Sequence, residues 1–267
     1  MQTPFAMSFN TIASLYNSAR PGYPGVLYSE IEKIKKFGCD SKILEVGAGP
    51  GTATIEIYKK WRSNMVAVEP GHKLIAIAEE KCSEFGKIKF VNNMFEDYKA
   101  VDLFDGILSA TAFHWPDKNV KYKKAYELLK NDGILAVYWN NYSRSENKIF
   151  DRIQKVYEKH HPAITDFRDF RIQVAERIKQ KSDEISKSGW FTLVKHFDFS
   201  YDKTFTSQEY INLLKSFSGN STIEKSEIDI FYKKILEIIE SNGGAITLPV
   251  IVNLEVAKKN LDYIKLN

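Results

Sequence analysis

Between residues 40 and 140 short apolar runs alternate with stretches of helical period. This is the pattern of a parallel sheet whose strands are joined by crossover helices. Lys42 to Val46 is the first run, and it ends in Gly47-Ala48-Gly49-Pro50-Gly51. A helix is predicted from about Thr52 to Trp61. Met65 to Val68 is a second buried strand, closed by Glu69-Pro70. His72 to Phe85 has helical spacing, with Leu74, Ile75, Ala78 and Cys82 on one face. Ile88 to Val91 is a third strand. Leu103 to Ser109 is a fourth, apolar enough to be covered on both sides. Val120 to Lys130 reads as a helix stopped by Asn131-Asp132-Gly133, and Ile134 to Trp139 as a fifth strand.

The rhythm then changes. Glu146 to Ser188 is mostly charged and helical, interrupted at His161-Pro162. Phe191 to Tyr201 alternates apolar and polar residues, as a strand with one solvated face does. Ser207 to Phe217 and Ser226 to Ser241 read as helices, and Leu248 to Ala257 as a last strand. Two late strands without a βαβ rhythm fit an antiparallel pair at one sheet edge. The expected fold class is therefore α/β, a doubly wound, mixed seven-stranded sheet with a helical insertion or lid. Residues 1–145 supply an N-terminal lid segment and the ligand-binding core. Residues 146–267 supply a helical insertion over the active face and the antiparallel strands that complete the same sheet.

Composition narrows the function classes. The 267 residues are 43% hydrophobic, enough for one packed core. Lys plus Arg number 38 against 34 Asp plus Glu, and the basic residues are scattered. The densest group, Lys33, Lys35 and Lys36, reads as a solvated helix face, so no nucleic-acid partner is expected. No apolar run approaches the ~20 residues of a membrane helix, and Met1 to Asn10 lacks the pattern of a secretory leader. The expectation is a cytoplasmic protein without a membrane partner, either monomer or homodimer. Cys39 and Cys82 are too few for a zinc site, and His160-His161 reads as a helix end, so no metal is expected.

The glycine turn between the first strand and its helix carries the chemistry. Glycine allows positive φ and lets backbone approach a ligand closely, and the next helix presents unpaired N–H groups. The turn lies where doubly wound sheets bind ligands, at the carboxyl ends of the strands. Glu69, at the tip of the second strand, can accept both ribose hydroxyls of an adenosine; the plain alternative is a surface acid before a proline turn. The spacing is Gly-x-Gly-x-Gly, with Thr at position 52, and so departs from the dinucleotide fingerprint. Glu45 stands two residues before the first glycine. An acid there can meet an ammonium group, which the methionine part of S-adenosylmethionine (SAM) carries. It can equally cap the N–H groups of the loop.

These residues resemble class I SAM-dependent methyltransferases, of the type 11 methyltransferase domain. Glu45 to Gly51 looks like the family's first motif, and Val66 to Pro70 its second. Phe95-Glu96-Asp97 lies where the family contacts adenine, Phe104 to Ser109 resembles the fourth motif, and Leu128 to Leu135 the lead into the fifth strand. The resemblance implies a Rossmann-like fold, SAM as cofactor and methyl transfer as activity. By family role Glu69 and Pro70 hold the ribose end, and Met94, Phe95 and Glu96 border adenine. Gly47, Ala48 and Gly49 approach the methionine part, with Glu45, Tyr16 and Ser109 completing the cofactor set. Where the family often has a small or acidic residue for adenine, this chain has Met94-Phe95.

Tyr16 to Pro24 and Ala112 to Trp115 together resemble the trans-aconitate methyltransferase-like branch, whose characterised members methylate small metabolites. That implies a small-molecule acceptor, with a carboxylate among the candidates. His114, Trp115 and Arg20 are the candidate catalytic residues. His114 can orient the acceptor, take its proton, or satisfy backbone at the strand end. Arg20 can hold a carboxylate in bidentate fashion or lie on the surface before Pro21. Tyr16, Trp115 and Trp139 are the aromatic candidates for contact with a sulfonium. Methylation of a protein or nucleic acid, and SAM binding without catalysis, are the competing readings.

Overall fold

A computed structural model describes residues 15, 19–144, 147–160, 170–217 and 223–262. After helix α1 (Gly25–Glu32) the chain runs β1 (Lys42–Val46), α2 (Thr52–Trp61), β2 (Asn64–Glu69), α3 (His72–Lys81), β3 (Ile88–Asn92), β4 (Phe104–Ala110), α4 (Lys118–Leu128) and β5 (Leu129–Tyr142). It continues through α5 (Lys148–His160), α6 (Phe170–Lys187), β6 (Phe191–Thr206), α7 (Ser207–Lys215), α8 (Lys225–Glu240) and β7 (Ala245–Lys259). The seven described strands form one sheet in the order β3-β2-β1-β4-β5-β7-β6. The five from β3 to β5 are parallel, while β7 pairs antiparallel with both β5 and β6.

Burial follows from this order. β1 and β4 are nearly continuous apolar runs because both faces are covered. Tyr28, Ile57 and Trp61 pack on one face, and Tyr122, Tyr126 and Ile185 on the other. The edge strand β6 instead alternates buried and exposed residues along most of its length. A third apolar cluster lies at the junction of β6 with β7, where Phe231 and Ile235 of α8, Leu213 of α7 and Ile153 of α5 pack around Phe205 and Leu248. Among the described residues, no helix is long and apolar enough to cross a membrane.

Several boundaries differ from the sequence pattern: the helix expected to reach Phe85 ends at Lys81, and β5 runs on to Tyr142. The helix before β5 ends at Leu128, and Leu129 already pairs with Phe104 in the sheet. Leu129 is wholly buried and Lys130 is paired with Asp105, so packing there outweighs the turn signal of Asn131-Asp132-Gly133. β6 and β7 also run past their expected ends, Thr206 opposite Ala245, because their mutual ladder continues through polar residues.

Candidate functional site

The strand order reverses between β1 and β4, and a cleft of about 750 Å³ opens beside their carboxyl ends. The glycine turn forms one wall. Gly47, Gly49 and Gly51 all have positive φ, 75°, 56° and 79°. The N–H groups of Gly47 and Ala48 donate to Val68 O, at 2.8 and 3.2 Å, which ties the turn to the end of β2. A Cβ at Gly47 would lie 2.3 Å from Ala112 Cβ, so only glycine lets the two loops close on each other. Gly49 borders the cleft, and a Cβ there would meet no atom within 4 Å.

Glu69 stands in the cleft wall with one carboxylate oxygen on the N–H of Gly49 at 3.0 Å and the other on that of Gly71 at 2.8 Å. Burial raises its pKa, and these two amide bonds counter the rise. A carboxylate accepts about four hydrogen bonds, so each oxygen retains capacity for a ligand donor. Pro70, Leu74 and Met94 extend the wall. Glu96 Oε1 accepts from the Asp117 N–H at 2.8 Å, while Glu96 Oε2 is buried beside the cleft with no protein partner. Phe95 borders the cleft but is buried, its ring centroid 6.2 Å from that of Phe113. It therefore lies beneath the cleft wall, and the expected flanking position is not exposed.

Three other expected cofactor residues lie deeper. Ala48 is buried in the turn. Ser109 is fully buried and donates to Val46 O at 2.7 Å, bracing β1 against β4. Glu45 is wholly buried, and neither carboxylate oxygen has a hydrogen-bond partner. The reading of Glu45 as a cap for the loop amides is overturned, because those of Gly47 and Ala48 bond Val68 and that of Gly49 bonds Glu69. Burial lifts the Glu45 pKa to about 8; the Thr54 hydroxyl opposes the shift, and the charges of Glu56 and Glu69 add to it. Tyr16 lies outside the described residues.

The opposite wall is built by the loop after β4. Thr111 has a φ of 53°, unusual for a β-branched residue. Its hydroxyl is 2.7 Å from Tyr23 Oη and accepts from Asn140 N at 3.4 Å. The N-terminal segment is seated from both sides. Asn140 Nδ2 donates to Pro21 O and Gly22 O, and the Glu56 carboxylate accepts from Tyr23 N and, at 2.8 Å, from Tyr28 Oη. Arg20 extends from this segment to Ser216, its Nε 2.9 Å from Oγ, and lies over the Phe217 ring at 4.4 Å. Its guanidinium thereby joins the N-terminal segment to the end of α7.

His114 and Trp115 sit side by side, ring centroids 4.7 Å apart, and Trp115 borders the cleft. Trp139 Nε1 donates to His114 Nδ1 at 3.2 Å, which leaves the imidazole proton on Nε2. Its recessed position lowers the His114 pKa, and the charges of Lys181, Lys121 and Arg20 lower it further. An exposed outer edge limits that shift. The imidazole is neutral at physiological pH. His160 lies elsewhere, buried at the end of α5 with Nδ1 2.5 Å from Glu227 Oε2; His161 is outside the described residues.

Residues 43–133 match the family model described as "Methyltransferase domain". A probable S-adenosylmethionine-dependent methyltransferase of Saccharomyces cerevisiae is 29% identical over 150 residues, 54% of this chain and 50% of that protein. The chain thus matches about half the length of this curated relative. The fold is also that of a SAM-dependent methyltransferase from Thiobacillus denitrificans in complex with S-adenosylhomocysteine. There the TM-score is 0.54 at 12% identity, over 96% of this chain and 99% of that one. A protein of Anaeromyxobacter dehalogenans assigned as a type II methyltransferase gives a TM-score of 0.66 at 16% identity, over 90% and 97% of the two chains. Residues 43–133 thus carry the sequence pattern of a methyltransferase domain, and the chain has the fold of class I SAM-dependent methyltransferases.

The donor set of this cleft fits SAM. The Glu69 carboxylate suits vicinal hydroxyls, the unpartnered Glu96 Oε2 suits an amino group, and the bare backbone at Gly49 leaves room for close approach. Several residues that shape the site gave little signal in the sequence. Thr111, Tyr23, Glu56 and Asn140 look like ordinary loop, helix and strand positions until the fold joins them. Lys181, on a charged helix, reads as solvated. The one legible cue is Asn140, a polar residue directly after the buried run that ends at Trp139.

Proposed function

We propose that this chain is a class I SAM-dependent methyltransferase that acts on a small-molecule acceptor, with a small carboxylate as the leading class. Bound SAM would supply an activated methyl group carried by a good leaving group, so the protein's part is alignment and exclusion of water. Glu69 would accept the ribose hydroxyls. Glu96 Oε2 would accept the adenine amino group, with Met94, Leu74 and Pro70 as the apolar surround. Gly47 and Gly49 would pass close to the methionine part, Ala48 and Ser109 would hold that loop in shape, and Glu45 would act on it from behind. Trp115 would cover the cleft.

The observation that carries the acceptor class is the charge around His114. A neutral imidazole with a free Nε2–H is a hydrogen-bond donor, and Lys181, Lys121 and Arg20 all act on it electrostatically. Glu184 opposes them and is itself paired with Lys121 at 2.6 Å. A carboxylate is ionised already and needs no base, so His114 would orient the acceptor rather than deprotonate it. The resemblance of Tyr16 to Pro24 and of Ala112 to Trp115 to the trans-aconitate methyltransferase-like branch supports the same class.

The test is release of S-adenosylhomocysteine from SAM across a panel of small carboxylic acids, with phenols, a mixed protein fraction and tRNA as competitors. Turnover with one or more of the acids is expected. Turnover only with a macromolecule, or SAM binding with no transfer to anything, would overturn the reading. His114→Ala should cut turnover about ten-fold or more, the worth of one polar contact to the acceptor. Its SAM affinity, measured by calorimetry, should stay close to that of the wild type. Equal turnover in the variant removes His114 from the site.

A further inference from the structure

Helix α6 brings a cation, Lys181, to the carboxyl end of β5. Lys181 has its stem partly buried, and its Nζ lies 4.1 Å from the centroid of the Trp139 ring. Its hydrogen bond to Asn141 Oδ1 is long, 3.4 Å. Trp139 is the residue that bonds His114, so ammonium, indole and imidazole adjoin in series at the carboxyl end of β5. Among the described residues, no carboxylate forms an ion pair with Lys181. The acids closest to this network are engaged elsewhere. Glu184 meets Lys121 and the Tyr122 hydroxyl, and Glu255 Oε1 accepts from Ser182 at 2.6 Å and contacts His196 at 2.8 Å, while Glu255 Oε2 is buried without a hydrogen-bond partner and forms no ion pair with Lys181. A partly buried ammonium without a counter-charge is unfavourable. Burial pulls the Lys181 pKa down to about 7, Arg177 lowers it further, and Glu255 pulls the other way. Such groups cluster at functional sites.

We propose that Lys181 anchors an anionic group of the acceptor, a carboxylate or a phosphate, and so positions the acceptor beside His114. This builds on the assignment of the His114–Trp115 side as the acceptor side. An incoming anion supplies the missing counter-charge, favours the ammonium form and displaces only the long bond to Asn141. The competing role is a base that takes a proton from the acceptor, and pH separates the two. An anchor needs the ammonium, so anion binding weakens as pH rises through the titration of Lys181. A base needs the free amine and leaves anion binding untouched.

The other groups facing this network are Arg177, Arg20 and Lys121, the acids Glu184 and Glu255, and His114 and His196. Burial would lower the His196 pKa, but its bonds to Glu255 and Asp198 raise it, so His196 is a second group here whose charge responds to pH. For that reason the variant without the Lys181 amine serves as the pH control.

The experiment is calorimetric titration of the full chain, saturated with S-adenosylhomocysteine, with citrate, inorganic phosphate or neutral glycerol, from about pH 6 to about pH 9. Wild type, Lys181→Arg and Lys181→Gln are compared, with thermal melts to confirm folding. Binding of citrate or phosphate, but not glycerol, is expected in the wild type, and whichever anion binds names the chemical source. Lys181→Gln should weaken it about ten-fold or more and remove its decline with pH, and Lys181→Arg should retain it. All three proteins should bind S-adenosylhomocysteine alike. Absence of binding by either anion, equal binding in Lys181→Gln, or binding that does not decline with pH overturns the anchor. The same titrations without S-adenosylhomocysteine keep the result separate from any failure of the cofactor assignment.

Discussion

Glu45 carries no hydrogen bond on either carboxylate oxygen, and burial lifts its pKa to about 8. A carboxyl group whose pKa is higher in the folded than in the unfolded chain stabilises the fold fully below the ordinary glutamate range. That stability is lost as pH rises towards the folded value. The loss attributable to Glu45 is about 3–5 kcal/mol. Glu45→Gln keeps the shape without the charge. Its urea-unfolding free energy should match the wild type near pH 5 and exceed it near pH 9. Parallel pH dependence of the two proteins would contradict the burial of an unpartnered acid. At this scale the motif residues were legible because glycine and acid types are demanded by backbone conformation and by ribose chemistry. Thr111, Glu56 and Lys181 were not, since each acquires its role from partners 28 or more residues away, or from an opposed surface such as the Trp139 ring.

The turn between β1 and α2 acts as a unit with the loop after β4. Gly47 combines a φ of 75° with a close approach to Ala112, whereas Gly49 has a φ of 56° and open space where a side chain would begin. Gly47→Ala should therefore destabilise the protein by about 1–3 kcal/mol and weaken SAM binding as the two loops part. Gly49→Ala should carry the smaller cost of a left-handed backbone alone, about 1 kcal/mol, and act mainly on SAM binding, by filling cleft. Thermal melts paired with calorimetry measure both; a Gly47→Ala protein with wild-type stability would contradict the packing of the two loops. Element positions were readable where apolar period and glycine signals agreed, as in α2, whose ends match the expected ones. They were misread at Leu129, where a cross-strand partner and core volume overrode local turn chemistry.

At the scale of the molecule, the parallel order of the first five strands puts β1 and β4 side by side, and the antiparallel β7 lets residues after 190 complete the same sheet. That much followed from rhythm and burial. The placement of α5, α7 and α8 together at the β6–β7 junction did not, because amphipathic helices state which face is buried and leave open against what. Arg20, reaching Ser216, ties this helical cluster to the segment that seats on Glu56 and Asn140.

The account as a whole depends on the adenosyl group lying between the 47–51 turn and Glu69. Calorimetric titration of SAM into the wild type and Glu69→Gln tests this most directly. The predicted result is saturable one-to-one binding to the wild type, weakened about ten- to hundred-fold in the variant, as expected for loss of hydrogen bonds to a charged acceptor. Equal affinity in the two proteins, or no binding to the wild type, would contradict it.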